Sequence, residues 1–170
     1  RNCSGGITPW GSWLTCEESA TGPGQKYGEG LDKNHGWVFE VPATATGLVD
    51  PKPLVAMGRF NHEAACVDPA TGSVYLTEDR TDSVLYRFIP RVPGDLSQGG
   101  RLQAMRVEGI PDLRNWTGMS MAVGAAGKVT WVDLDSVEAP KDDLRYQAAA
   151  KGASLVARGE GIHMGEGEAF

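Results

Sequence analysis

Residues 62–80 read HEAACVDPATGSVYLTEDR, and this stretch decides the fold. It contains two short runs rich in apolar and β-branched residues, HEAACV and SVYLT, each of strand length. Between them, Asp68-Pro69 and Thr71-Gly72 are residues typical of a turn, and the apolar alternation begins directly after them. The stretch therefore predicts two β-strands joined by a turn.

Similar runs fill most of the chain. Each run is bounded by Gly, Pro, Asp or Asn: SWLTCEE, GWVFEV, PLVAMGRF, SVLYRFIP, KVTWVDL and ASLVARGE. With 23 Gly and 10 Pro in 170 residues, long helices are not expected. Residues 142–153, DDLRYQAAAKGA, are the one short helix predicted, and residues 91–105, RVPGDLSQGGRLQAM, are predicted to form a loop at one edge. The fold class predicted is all-β.

The pattern of strands repeats along the chain. WLTCEE followed by GWVFEV matches YLTEDR followed by SVLYRFIP, and weaker copies begin at GKVTWVDL and GEGIHMGEGEAF. Repeats of about 40–60 residues with several strands each are typical of propeller blades. We predict that residues 1–170 form about three blades of one β-propeller domain, incomplete because both ends are truncated.

Composition excludes several classes of partner. The net charge is −6 and no run of Lys or Arg is present, which argues against nucleic acid and against an anionic membrane surface. No apolar stretch reaches the length of about 18 residues that spans a bilayer. Three cysteines without C-x2-C spacing define neither a disulfide framework nor a zinc ribbon.

Acidic residues and one thiol stand at equivalent places in successive repeats. Strand ends of successive blades meet at one mouth of a propeller, so these groups are predicted to converge. Calcium prefers oxygen ligands, and iron accepts carboxylate together with thiolate. The convergence predicts a metal site among Cys16, Glu17 and Glu18 of one repeat, Glu78, Asp79 and Arg80 of the next, and two further acids, Glu63 and Glu160.

Plainer interpretations stay open for each residue. The acids can be solvated strand ends paired with bases, and Cys16 and Cys66 can be small buried residues. His62 can be a ligand, a proton donor or a structural hydrogen-bonding group. Arg158 can bind phosphate with its planar fork or form an ordinary surface salt bridge. The glycines of NCSGGITPWG suit either an approaching anion or a tight connection.

Three motifs together resemble a known family. NCSGGITPWGSWLTCEE, GRFNHEAACVDPATGSVYLTEDR and ARGEGIHMGEGEAF are similar to the PhoX-type alkaline phosphatases, a bacterial family formerly of unknown function. The motifs fall in the order that they have in that family, and the resemblance covers nearly the whole chain. It implies that this chain is an internal fragment of a longer protein.

The resemblance implies a six-bladed propeller that holds iron and calcium and hydrolyses small phosphomonoesters. It implies a periplasmic or secreted protein, exported by the twin-arginine route, and a monomer when complete. Cys16 is then the preferred iron thiolate and Cys3 the less favoured one. The metal carboxylates implied are Glu17, Glu63, Glu78 and Glu160, and the candidate catalytic residues are Arg158 and His62.

Two other functions fit a propeller with acids at its axis. One is a calcium-dependent lactonase, and the other is a non-catalytic binding propeller stabilised by calcium. A thiolate is a poor calcium ligand and suits iron, so a thiol among carboxylates favours the phosphatase over both.

Overall fold

The structure, a computed structural model, describes all 170 residues and consists mostly of two antiparallel sheets. The first sheet has the order β1-β2-β3 and the second the order β4-β5-β6-β7-β8. Their bounds in chain order are β1 Gly6–Ile7, β2 Ser12–Cys16, β3 Val38–Pro42, β4 His62–Val67, β5 Val74–Glu78, β6 Tyr86–Val92, β7 Asp95–Val107 and β8 Val129–Asp133. The all-β prediction is confirmed.

The stretch at residues 62–80 forms β4, a turn and β5, as its sequence predicts. The Asp68 carboxylate holds the turn by accepting hydrogen bonds from the backbone N–H of Ala70 at 2.9 Å and from the Thr71 hydroxyl at 2.6 Å. Gly72 has a φ of +73°, a conformation that glycine adopts without strain. The turn therefore aligns Val67 with Val74 at the start of the hairpin.

The hydrophobic core draws side chains from both sheets and from the helix. It contains 21 buried residues, including Leu14 and Val38 of the first sheet and Leu76 and Phe88 of the second. Side chains alternate between the two sides of β2, so that Ser12, Leu14 and Cys16 are buried while the residues between them are not. This alternation places Leu14 and Cys16 in the core.

Helical structure is sparse. The α-helix α1, Leu144–Ala150, lies inside the predicted range 142–153, which confirms that prediction. A short 3-10 helix, Val55–Met57, lies in a segment that the sequence assigned to a strand, and that assignment was wrong. Its neighbour Leu54 still pairs with the first sheet by donating to the Val38 carbonyl. No helix in the structure combines the length and the apolar character needed to cross a bilayer.

The loop predicted at residues 91–105 was also wrong. These residues form the end of β6 and most of β7, a long hairpin whose turn includes Gly94 at φ +83°. Its polar sequence hid the strands, because the outer part of the hairpin is mostly exposed and Leu96 is the one residue between positions 91 and 101 that it buries in the core. In contrast, the strand predicted at residues 153–160 is reduced to isolated bridges at Leu155 and Val156.

The two sheets meet at one parallel bridge between Gly5 and Ala64. The Gly5 N–H donates to the Glu63 carbonyl at 3.1 Å, and the Ala65 N–H donates to the Gly5 carbonyl at 3.1 Å. A Cβ on Gly6 would lie 1.8 Å from the Ala65 carbonyl oxygen, so only glycine allows this approach. The sheets do not close into a ring, and the propeller remains a proposal.

Replacing Gly6 with alanine is expected to destabilise the intact protein by about 1–3 kcal/mol, because the new methyl group forces β1 away from β4. The matched control is Gly47→Ala, since a Cβ at Gly47 meets open space. Chemical denaturation of both variants measures the difference. Equal free energies of unfolding for the two variants would show that the contact between the sheets contributes nothing.

Candidate metal centre

Three potential metal ligands from distant parts of the chain converge at the point where the sheets meet. The Cys3 thiol and the Glu18 and Glu63 carboxylates offer ligand atoms that all lie within 4.8 Å of one another. Glu63 is buried, Glu18 is half-buried and Cys3 is exposed, so the group opens to solvent on one side. We call these three residues the Cys3 cluster.

The backbone explains why these three residues meet. Residues 1–3 pair antiparallel with the end of β2, since the Cys3 N–H donates to the Cys16 carbonyl and the Glu18 N–H to the Arg1 carbonyl. Side chains alternate between the two faces of a strand, so Cys3 lies on the same face as Glu18. The parallel bridge at Gly5 then places Glu63, the second residue of β4, beside them.

The surroundings of the Cys3 cluster shift the pKa of each of its three groups. The Cys3 S–H donates to Glu63 Oε1 at 2.9 Å, and this hydrogen bond raises the pKa of the thiol to about 11. Burial raises the pKa of Glu63, whereas the hydrogen bond from Arg1 Nε, at 2.9 Å, lowers the pKa of Glu18. A cation at this place would favour the ionised form of all three groups.

A second set of charged groups adjoins the cluster. Asp79 directly follows β5, and burial raises its pKa, with the negative charges of Glu160 and Glu18 adding to the shift. Arg158 Nε lies 2.6 Å from Asp79 Oδ1 without hydrogen-bond geometry, and Arg158 Nη2 lies 3.5 Å from Glu160 Oε1. The Arg158 side chain is 60% exposed, so its fork is accessible from solvent. The arrangement combines five acidic or thiol groups with an accessible guanidinium.

Arg158 has a φ of +55°, which is uncommon for a residue other than glycine. Its backbone N–H donates to the Arg80 carbonyl at 2.7 Å, and the next N–H, of Gly159, donates to the Glu78 carbonyl at 3.1 Å. These bonds hold the strained residue against the end of β5. The strain therefore fixes the place of the guanidinium beside Asp79.

Of the two predicted ligands at the end of β2, Cys16 lies next to the Cys3 cluster but in the hydrophobic core, and Glu17 points away from the cluster. Cys16 is completely buried in the hydrophobic core, and burial raises the pKa of its thiol to about 12. Glu17 lies on the opposite face of the strand, where it contacts His35 Nδ1 at 2.6 Å and accepts from the backbone N–H groups of Gly36 and Trp37. Glu17 thus anchors the end of the β2–β3 connection.

Glu78 and His62, opposite each other on β5 and β4, are buried in the interior. Glu78 accepts from the Tyr86 hydroxyl at 2.9 Å and lies 3.6 Å from Arg145 Nη1, while burial raises its pKa to about 8. His62 Nε2 lies 3.0 Å from the Gly58 carbonyl oxygen, and burial lowers the pKa of His62 to about 3. Both side chains lie outside the Cys3 cluster, and each leaves one buried atom without a hydrogen-bond partner, His62 Nδ1 and Glu78 Oε1.

The profile of the family described as alkaline phosphatase PhoX matches residues 1–170. The chain belongs to the PhoX family. No curated protein matches the chain in sequence.

A solved structure, Pseudomonas fluorescens PhoX in complex with vanadate, a transition state analogue, is similar to this PhoX-family chain. The TM-score is 0.63 at 24% sequence identity, and the match covers 96% of this chain. At that identity the likeness supports the fold alone. The chain spans 37% of the length of the P. fluorescens protein.

Of the ligands predicted from the sequence, Glu63 lies in the Cys3 cluster and Glu160 lies beside it, next to Arg158. In the TCEE motif the prediction chose Cys16 and Glu17, whereas the structure brings Glu18 into the cluster. Strand alternation is the signal that distinguishes them, because Glu17 and Glu18 must point to opposite faces. The resemblance named Cys3 as the less favoured thiolate, and the pairing of residues 1–3 with β2 is what places it beside Glu18. Asp79 was noted beside Glu78 but was not chosen as a candidate ligand.

Proposed function

We propose that this chain carries part of the active site of a metal-dependent phosphomonoesterase. The observation that carries the proposal is the convergence of Cys3, Glu18 and Glu63 within 4.8 Å, in a chain of the PhoX family. Three acidic or thiol groups at this spacing repel one another when ionised, and a multivalent cation removes that repulsion. The vanadate complex of the P. fluorescens PhoX supports a phosphoryl-transfer reaction for the family.

The donor set fits iron, with calcium as a second metal. Cys3 would supply the thiolate in place of Cys16, and Glu18 and Glu63 would supply carboxylates in place of Glu17 and Glu78. A thiolate beside carboxylates suits iron, whereas the all-oxygen groups Asp79 and Glu160 suit calcium. When bound, such metals supply charge neutralisation and a bound water of lowered pKa. The half-buried cluster lets substrate reach them from the solvent side.

Arg158 would orient the phosphate. Its fork is matched to two phosphate oxygens, and Asp79 and Glu160 hold it beside the cluster. We give His62 a structural role, since it is buried under Phe60, whose ring centroid lies 3.6 Å away. The phosphate would therefore lie between Arg158 and the Cys3 cluster, where opposing charges fix its orientation.

Three further features of the intact protein are proposals that rest on the resemblance. They are a complete six-bladed propeller, a periplasmic or secreted location, and a monomeric state. The parallel bridge between the two sheets supports the first, because β1 and β4 lie side by side as the inner strands of neighbouring blades do.

The experiment that tests the function uses the intact protein, purified without chelators. Elemental mass spectrometry measures iron and calcium, and hydrolysis of 4-nitrophenyl phosphate is compared with hydrolysis of a lactone. We expect near-stoichiometric iron, calcium, and phosphomonoester turnover. Calcium without iron, with lactone turnover alone, would support the lactonase instead. Calcium with no hydrolysis of either substrate would support the binding propeller.

A further inference from the structure

A pocket of about 560 Å³ lies next to the Cys3 cluster. Three chain segments line most of it, residues 4–9, 65–67 and 162–165, together with Trp13 and Pro69. We propose that this pocket binds the organic group of the substrate and selects aryl phosphomonoesters. The proposal rests on the proposed function and names its substrate class.

The pocket begins where the proposed phosphate site ends. Each lining segment begins within two residues of a residue of that site: Ser4 follows Cys3, Ala65 comes two residues after Glu63, and Ile162 comes two residues after Glu160. Glu63 and Ala65 both lie in β4, where a strand advances about 3.3 Å per residue, so the distance between them is about the length of a phenyl ring. A phosphate at the cluster therefore leaves its ester group at the mouth of the pocket.

The lining favours an uncharged apolar group. Seven of its 15 residues are hydrophobic, and apart from His163 none of the 15 has a side chain that carries charge. An ester group with its own carboxylate or phosphate would find no partner there, whereas a flat ring can pack against the Trp13 indole. The charged groups of the proposed phosphate site are not among the residues that line the pocket. Different residues would therefore recognise the phosphate and the ester group.

The apolar side chains of the pocket are left open to solvent. Ile7 is 65% exposed and Trp13 is 42% exposed, although both line the concave surface. Large apolar groups exposed in a concave pocket are typical of a ligand site. Continuity with the phosphate site identifies the ester group as the occupant, in preference to a separate partner.

The test compares phenyl phosphate with glycerol 2-phosphate as substrates of the intact, metal-loaded protein. In Ile7→Ser we expect the KM for phenyl phosphate to rise about 10-fold, the lower end of the discrimination by one methylene group in an apolar pocket. The KM for glycerol 2-phosphate should rise by a much smaller factor, because its polar ester group gains little from an apolar side chain. The control is Leu48→Ser, a fully exposed aliphatic residue outside the pocket, which should change neither KM. Equal effects of Ile7→Ser on both substrates, or none, overturn the proposal and show that the pocket does not contact the ester.

A binding measurement separates this proposal from the proposed function. Phenylphosphonate and methylphosphonate share the phosphonate group and differ in the apolar part, and calorimetry gives both affinities without turnover. Tighter binding of phenylphosphonate than of methylphosphonate, weakened by Ile7→Ser, supports the pocket proposal whether or not phosphomonoesters are hydrolysed. Absence of hydrolysis together with this binding would refute the proposed function alone. Equal affinities overturn the pocket proposal even in an active phosphatase.

Discussion

Replacing Cys3 with alanine in the intact protein is expected to remove iron and to lower phosphomonoester turnover by at least about 100-fold, because loss of a residue that only hydrogen-bonds a metal ligand already costs about 10–100-fold. The physical reason is the position of the thiol, which lies 2.9 Å from Glu63 and is the one exposed thiol of the three. Elemental analysis and steady-state kinetics on one preparation measure both effects.

The matched control is Cys16→Ala. Cys16 is fully buried in the hydrophobic core, so its loss should lower the free energy of unfolding by leaving a small cavity. Its iron content and turnover should stay close to those of the unchanged protein. Loss of iron in Cys16→Ala together with retention in Cys3→Ala would reverse the assignment of the thiolate.

Replacing Arg145 with methionine is expected to destabilise the intact protein by about 3 kcal/mol, the lower end of the cost of breaking a buried ion pair. The Arg145 side chain is 8% exposed, and it contacts the carboxylates of Glu78, Asp82 and Asp142. Without it these acids lose their shared partner. The effect falls at the lower end because Glu78, whose pKa burial raises to about 8, can take up a proton.

The control for this variant is Arg101→Met. Arg101 is 64% exposed, and its nearest carboxylate oxygen, on Asp133, lies 3.6 Å away. Exposed pairs of this kind contribute about 0–1 kcal/mol. Urea denaturation of both variants at one pH measures the comparison. A similar small loss in both would mean that Arg145 does not tie α1 to the end of β5.

Local chemistry made the centre of the fold predictable. The turn at residues 68–73 has its determinants within six residues, because Asp68 and Gly72 act on the backbone next to them. The end of β2 and the strand β3 follow from apolar runs between turn formers. Such signals act between residues that are close in the sequence, so they can be recognised without knowledge of the fold.

Elements that depend on distant partners could not be predicted in this way. The strand β7 is polar over its outer half, and only pairing with β6 and β8 makes it a strand. The segment at residues 153–160 has strand-like composition, yet it pairs at single residues with Ser83 and with Asp112. Tertiary pairing thus overrides local propensity in both directions.

The same limit applied to the site. The motif TCEE indicated Cys16 and Glu17 as ligands. In the structure Cys16 packs in the hydrophobic core, and Glu17 accepts a hydrogen bond from the backbone of Gly36, in the connection before β3. Cys3 enters the site through the pairing of residues 1–3 with β2, and a composition of acids and thiols carries no sign of that pairing. The sequence predicted that acidic residues and a thiol converge, and the structure brings Cys3, Glu18 and Glu63 within 4.8 Å of one another.

The most direct test of the central claim is anomalous X-ray diffraction at the iron edge from crystals of the intact protein purified without chelators. The account predicts an iron peak bonded to the Cys3 sulfur and to the carboxylates of Glu18 and Glu63. An iron peak bonded to Cys16, or no iron within reach of Cys3, would contradict it.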